Sequence, residues 1–163
     1  MSMKKEEIEN NIDLKLSRVW RRAMMAVMGN IKKNILSYGL SMETFIILEL
    51  LYNMGPQSVQ KISEKFSIPS GSITYVVDKL EKKELVFRQA CPTDRRVSNV
   101  VLTERGRTMF DDIFPKHADV ISQTFSFIND DEKRLLIDFL KKIGLGAEQL
   151  KSTHVENGGE QNG

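Results

Sequence analysis

The sequence predicts a mainly α-helical protein with a small β-hairpin wing: a winged helix-turn-helix joined to a helical dimerisation region. Three observations carry that prediction. Two short amphipathic patterns, one from Ser58 to about Phe66 and one after "SIPS", are separated by a tight connector. Two β-prone runs follow them directly, joined by the polar turn "CPTDRR". Longer amphipathic patterns flank this unit on both sides, and 163 residues suit one domain with a helical extension.

The elements follow in order. From about Ile8 to Ile35, the residues Ile12, Leu16, Val19, Ala23, Ala26 and Val27 recur near a 3.6 period, which predicts a long helix. Gly39 interrupts it. Ser41 then caps a second helix, with Phe45, Leu48, Leu51 and Tyr52 inward, and Gly55 and Pro56 end it. Ser58 caps the third, with Val59, Ile62 and Phe66 inward. In the fourth, Ile73, Val76, Val77 and Leu80 form one apolar stripe, and Ser70, Gly71, Ser72, Thr74, Tyr75 and Lys79 lie off it. Leu85–Ala90 and Val97–Leu102 read as the two strands. Thr103 caps a further helix, which Pro115 is expected to kink or divide. Asn129 and Glu132 have capping-box spacing before a last helix, expected to close at Gly144. The expected domains are an N-terminal dimerisation helix (1–36), a winged helix-turn-helix (37–106), C-terminal dimerisation helices (107–146) and a disordered tail (147–163).

Charge is unevenly spread. The net charge is +2, yet residues 1–69 and 70–107 each carry +3 and residues 108–163 carry −4. Such asymmetry orients a protein toward a polyanion. The uncharged stretch from Ala23 to Ile31 is far shorter than the ~20 residues that span a bilayer. "MSMKKEEIEN" lacks the apolar core of a secretory signal, and one cysteine excludes an internal disulfide. A cytoplasmic, nucleoid-associated protein is expected, with no membrane partner.

The chemistry points to double-stranded DNA. Small hydroxyl side chains at Ser70, Ser72 and Thr74, with Gly71, let a helix approach a duplex closely, and Tyr75 and Lys79 extend that face. At the hairpin tip, arginine suits the minor groove because its flat guanidinium is weakly hydrated. Asp94 stands two positions before Arg96 and can hold its direction, beside Arg95. Alone, either feature reads as an ordinary amphipathic helix or a solvated turn. Together, after a helix-turn-helix pattern, they favour DNA.

"DRRVSNVVLTERG" resembles the D-x-R…L-T-x-x-G wing signature of the MarR family of bacterial regulators, with Asp94, Arg96, Leu102, Thr103 and Gly106 at the matching positions. "GSITYVVDKLEKKELV" resembles that family's recognition helix, and "LSMETFIILELL" the helix before it. The likeness runs from about Leu14 to His117. "SGSITYVVDKLE" and "DIFPKH" resemble the quinone- and catechol-responsive branch of MhqR type. Glu84 departs from the pattern, standing where relatives often have glycine. The resemblance implies a homodimer whose first and last helices interleave, and a near-palindromic operator with half-sites ~10 bp apart. It further implies repression relieved by a small-molecule effector or an oxidant.

Two sensors can be read from the residues. Trp20, Met24, Met28, Tyr38 and Phe45 are candidates to line an effector pocket, methionine being pliable enough for several aromatic ligands, although each is equally a core residue. Cys91, the sole thiol, is a redox candidate because Arg88, Arg95 and Arg96 could lower its pKa; the competing reading is an incidental surface cysteine. Thiol sensors in the family usually carry their cysteine in the N-terminal helices, so this position departs from them. No cofactor or metal is expected: the two histidines, His117 and His154, form no ligand cluster, and there is no phosphate loop or nucleophile elbow. An enzyme is therefore not expected. The remaining rivals are a winged helix used only for protein contacts and a first helix resting on a membrane surface through Trp20, Arg21 and Arg22.

Overall fold

The computed structural model describes residues 11–90 and 98–156. Its elements are α1 (Ile12–Ser37), α2 (Met42–Met54), β1 (Gln57–Ser58), α3 (Val59–Phe66), α4 (Ser70–Lys82), β2 (Val86–Ala90), β3 (Ser98–Leu102), α5 (Glu104–Thr124) and α6 (Asp130–Glu156). The chain divides into two compact units, one ending at Ile121 and one beginning at Ser122.

Local chemistry sets most of the boundaries. Asn11 caps α1 by accepting from the backbone N–H groups of Asp13 and Leu14 at 2.9 and 3.0 Å. Gly39, at φ 71°, turns the chain out of α1. The Ser41 hydroxyl accepts from the Thr44 N–H at 3.2 Å, and Gly55, at φ 72°, ends α2. Ser58 caps α3 through the Lys61 N–H. Asn129 and Glu132 complete a reciprocal capping box, 3.0 Å in one direction and 2.8 Å in the other.

The core of the first unit lies where α2, α3 and α4 meet the sheet and α5. Phe45, Leu48, Leu51, Ile62, Ile73, Val77, Leu80, Val100 and Phe110 are almost fully buried there. Each such side chain contributes about 1.5–3 kcal/mol relative to exposure. The stripe expected on α4 is the face that packs inward, and the off-stripe residues are exposed.

The sheet has three antiparallel strands in the order β1-β3-β2, with Val86 opposite Leu102 and Ala90 opposite Ser98. The hairpin is as expected, and β1 adds a strand the sequence did not announce. Gln57 and Ser58 pair with Val100 and Asn99. Two residues carry no detectable alternation, and Ser58 doubles as a helix cap.

One expectation fails and another fails in part. α5 is not divided at Pro115. One ladder bond is lost there, but Phe110, Ile113 and Phe114 pack against the core on the preceding turn and hold the helix. α6 does not close at Gly144; it continues through Gly144 and Gly146 to Glu156, ten residues into the segment expected to be disordered. Glycine in a helix costs only ~1 kcal/mol, and neither glycine takes positive φ here. Residues 157–163 lie outside the described part. The apolar row of α1 packs less than its period suggests: Ile12, Leu16, Val19, Met24 and Met25 are exposed, as are Leu135, Leu136, Phe139 and Ile143 on α6. No single described helix is long and apolar enough to cross a membrane.

Candidate nucleic-acid interface

α4 begins without a side-chain cap. Pro69 occupies its N-cap and offers no hydroxyl or carboxylate to the first-turn N–H groups. The other described helices all have such caps, from Asn11, Ser41, Ser58, Thr103 and Asn129. The Ser72 and Ile73 N–H groups donate to the Pro69 carbonyl at 2.9 and 3.2 Å, which leaves those of Ser70 and Gly71 as the donors that the start of α4 presents.

The hydroxyls on this face are partly committed. Ser70 Oγ donates to Ser63 Oγ at 3.2 Å, and Ser63 Oγ in turn donates to the Ile68 carbonyl at 2.6 Å. This chain ties the start of α4 to α3. Thr74 Oγ1 donates to the Ser70 carbonyl at 2.9 Å, which spends its proton and leaves its methyl and lone pairs outward. Tyr75 is 61% exposed, and Lys79 Nζ lies 4.2 Å from its ring centroid. A hydrogen bond from Lys79, and then its charge, hold the Tyr75 phenol below its ordinary pKa. A hollow of about 690 Å³ opens beside these residues, lined by Ser41 and Thr44 from the start of α2 and by Ser72, Tyr75 and Lys79.

The wing joins α4 through a tight turn. Glu84 sits there at φ 58°, in the left-handed region that glycine occupies at low cost. Its carbonyl accepts from Thr103 Oγ1 at 2.7 Å and its carboxylate meets Arg105 at 2.8 Å. Thr103 Oγ1 also accepts from the Gly106 N–H at 2.9 Å, which caps α5 as the sequence suggests.

On β2, Arg88 reaches back to α4. Its guanidinium donates to Asp78 Oδ1 at 2.7 Å and to Glu81 Oε2, and its backbone N–H donates to Glu81 Oε1 at 3.0 Å. Sequence reading offered Arg88 as a neighbour that could acidify Cys91, whereas its guanidinium is bound to two carboxylates. Asp78 and Glu81 drew no attention as a pair. Their spacing on the exposed side of α4 was the available signal, but their partner lies beyond a turn.

Of the expected site residues, Ser70, Gly71, Ser72, Thr74, Tyr75 and Lys79 share one exposed face of α4. Asp94, Arg95, Arg96 and Cys91 lie outside the described residues. The five pocket candidates are not gathered. Trp20, Met24 and Met28 are surface residues of α1, and Phe45 is core, its ring 5.3 Å from Phe110. None of the three hollows beside α4 is lined by any of these four; Tyr38 borders one of them. Tyr38 belongs instead to a small polar cluster. Asn34 Nδ2 donates to its hydroxyl at 2.8 Å, Asn34 Oδ1 lies 2.7 Å from His117 Nδ1, and the His117 ring meets Phe45 at a tilt of 52° with centroids 4.5 Å apart. Burial pushes the His117 pKa down. Among the described residues, no group of three or more His, Cys, Asp or Glu side chains is arranged to hold a metal.

A helix-turn-helix followed by a three-stranded wing defines a winged-helix protein. The chain belongs to the MarR family, whose model matches residues 40–98, and it is a transcriptional regulator of MarR type. It is 46% identical over 137 residues to the HTH-type transcriptional regulator MhqR of Bacillus subtilis, across 84% of this chain and 94% of that protein. In fold it is similar to Sco3205, a MarR family regulator from Streptomyces coelicolor solved in complex with DNA, with a TM-score of 0.75 and 19% identity over 83% of this chain and 88% of that one. It is also similar to CouR from Rhodococcus jostii RHA1, solved with p-coumaroyl-CoA, with a TM-score of 0.68 and 26% identity over 83% and 93% of the two chains. MhqR and Sco3205 are both transcriptional regulators.

Proposed function

We propose that the chain is a homodimeric repressor that binds a near-palindromic operator in double-stranded DNA and leaves it when a phenolic or quinone-like effector binds. The observation that carries this reading is the exposed face of α4. It places Ser70, Gly71, Ser72, Thr74, Tyr75 and Lys79 together at a helix start whose N–H groups have no side-chain cap. Free donors and small side chains suit close approach to phosphates and base edges. The wing flanks this helix, and the sequence between its strands β2 and β3 holds Asp94, Arg95 and Arg96.

A fold neighbour solved with DNA supports the partner, and one solved with p-coumaroyl-CoA supports effector control. The exposed apolar rows of α1 and α6 support a second copy as their cover. In that arrangement residues 37–106 read DNA, and residues 1–36 and 107–146 build the dimer. Two-fold symmetry then sets half-sites about 10 bp apart. Trp20, Met24 and Met28 remain effector candidates only at a surface that the second copy completes.

Selection of bound duplexes from a random pool, repeated over a salt series, tests this. The expected result is one inverted repeat, bound with a steep salt dependence. Hydroquinone or a salicylate-like phenol should then release it. No enriched sequence at low salt would overturn the DNA reading. Enrichment without release would overturn only the effector class.

A further inference from the structure

We infer that Arg88 is a positioning and charge-masking residue of the DNA-reading surface, which silences two carboxylates on the recognition helix and ties that helix to the wing. The inference rests on the DNA reading above and adds to it a residue that touches no DNA.

Asp78 is the starting point. It stands four residues after Thr74 and three after Tyr75, so it continues the outward strip of α4. Its side chain is 50% exposed. Glu81 lies one turn further, at the edge of the strip. A carboxylate pair on a surface meant for phosphates repels the ligand it must approach. Lys79 forms no ion pair with them; its ammonium lies over the Tyr75 ring. Arg88 does. One guanidinium donates to both carboxylates, and the Arg88 backbone N–H adds a third bond to Glu81. A planar fork can serve two acceptors at once, which a lysine ammonium on a flexible stem does less well.

The same contacts couple two elements. Arg88 sits on β2, opposite Val100 of β3, so the clamp fixes the base of the wing against the middle of α4. If α4 occupies one groove, the angle to the wing decides whether the tip reaches the next. Asp78 and Glu81 are thus read as docking points for the wing rather than as DNA contacts.

Operator affinity, measured by anisotropy at several salt concentrations together with thermal melts, tests the inference. Arg88→Gln should weaken binding at least tenfold at low salt, and Arg88→Lys should recover only part of that loss. The decisive variant is Arg88→Gln with Asp78→Asn and Glu81→Gln, which lifts the repulsion but not the lost tie to the wing, so it should bind about threefold or more tighter than Arg88→Gln and still fall short of wild type. The same two-charge change placed on α6, Asp131→Asn with Asp138→Asn, should leave the Arg88→Gln defect in place. Equal rescue from α6 would reduce the effect to net charge, and no rescue from α4 would make Arg88 a DNA contact; either result overturns the inference. If Arg88→Gln melts too early to assay, Asp78→Lys on the wild-type background replaces it. Displaced from that carboxylate, Arg88 should lose its grip, and affinity should fall although one negative charge is replaced by a positive one. A rise would overturn the inference. Wild type that selects no DNA would instead sink the reading beneath it.

Discussion

Two positions in one joint show how backbone geometry dictates residue choice. Where α4 turns into the wing, Glu84 holds φ 58°, a conformation that costs a side-chain-bearing residue about 1–2 kcal/mol. Close by, a Cβ on Gly106 would lie 2.1 Å from the Leu85 carbonyl oxygen and 3.2 Å from Leu102 Cδ2. Both neighbours are fixed, the first by the Thr103 N–H that it accepts. Gly106→Ala should therefore lower stability by about 3 kcal/mol. Glu84→Gly should change it by less than about 1 kcal/mol, because relieved strain offsets a more flexible unfolded chain and a lost surface ion pair. Chemical denaturation of the two variants checks the contrast; equal losses would contradict this account of the joint. At this scale the sequence was most readable where a side chain serves its own helix. Ser41, Ser58, Thr103 and Asn129 cap as their spacing says. The two carboxylate partners of Arg88, seven and ten residues back, were missed because they are set by how β2 returns along α4, which no local pattern encodes.

At the scale of elements, α1 and α5 meet through a polar bond inside an apolar setting. His117 is buried and packed at a tilt against Phe45, and its Nδ1 faces Asn34 Oδ1. Burial lowers its pKa, so the folded state favours the neutral ring. Above the unfolded value near 6.5 both states are neutral and the contribution is fully present. As pH falls below that value the unfolded chain takes up a proton first, and stability drains away until the folded pKa is passed. Glu49 acts in the opposite sense, since burial raises its pKa and its protonation favours the folded state at lower pH. The His117→Gln variant separates the two, because Glu49 is common to both proteins. Wild type should lose melting temperature between pH 7.5 and 5.5, and the variant should lose less, while starting about 1–2 kcal/mol less stable at the higher pH. Parallel slopes would remove His117 as the cause. Elements were legible where amphipathic period and caps agreed, as in α2, α3 and α4. The division offered at Pro115 and the end expected at Gly144 do not occur, because a breaker's cost is outweighed by packing on the preceding turn or by good helix formers such as Leu145 and Ala147. β1 was too short to leave any period.

For the whole molecule, the question is what covers the surface that one chain leaves apolar. Ile12, Leu16, Val19, Met24 and Met28 lie exposed along α1, and Leu135, Leu136, Phe139 and Ile143 along α6. Such rows exceed the scattered apolar residues a monomer tolerates. The α1 row was visible in the sequence as a 3.6 period, but a period does not say which surface will meet it. A second copy is the proposed cover, and it makes a joint prediction. Light scattering should give a mass about twice 18.7 kDa. Leu16→Glu with Val19→Glu should halve it, while changing the fold of the winged unit little, since both side chains are already exposed in the single chain. Operator affinity should then fall by roughly 10²–10⁴, because the second half-site is no longer held at high local concentration by the first. A single half-site should be bound nearly as well by the variant as by wild type, as each recognition helix and its wing remain whole. If the variant stayed dimeric, α1 would not be the seam. If it became monomeric and still held the full operator at wild-type strength, symmetry would have no part in recognition, and α4 with its wing would be reading the site alone.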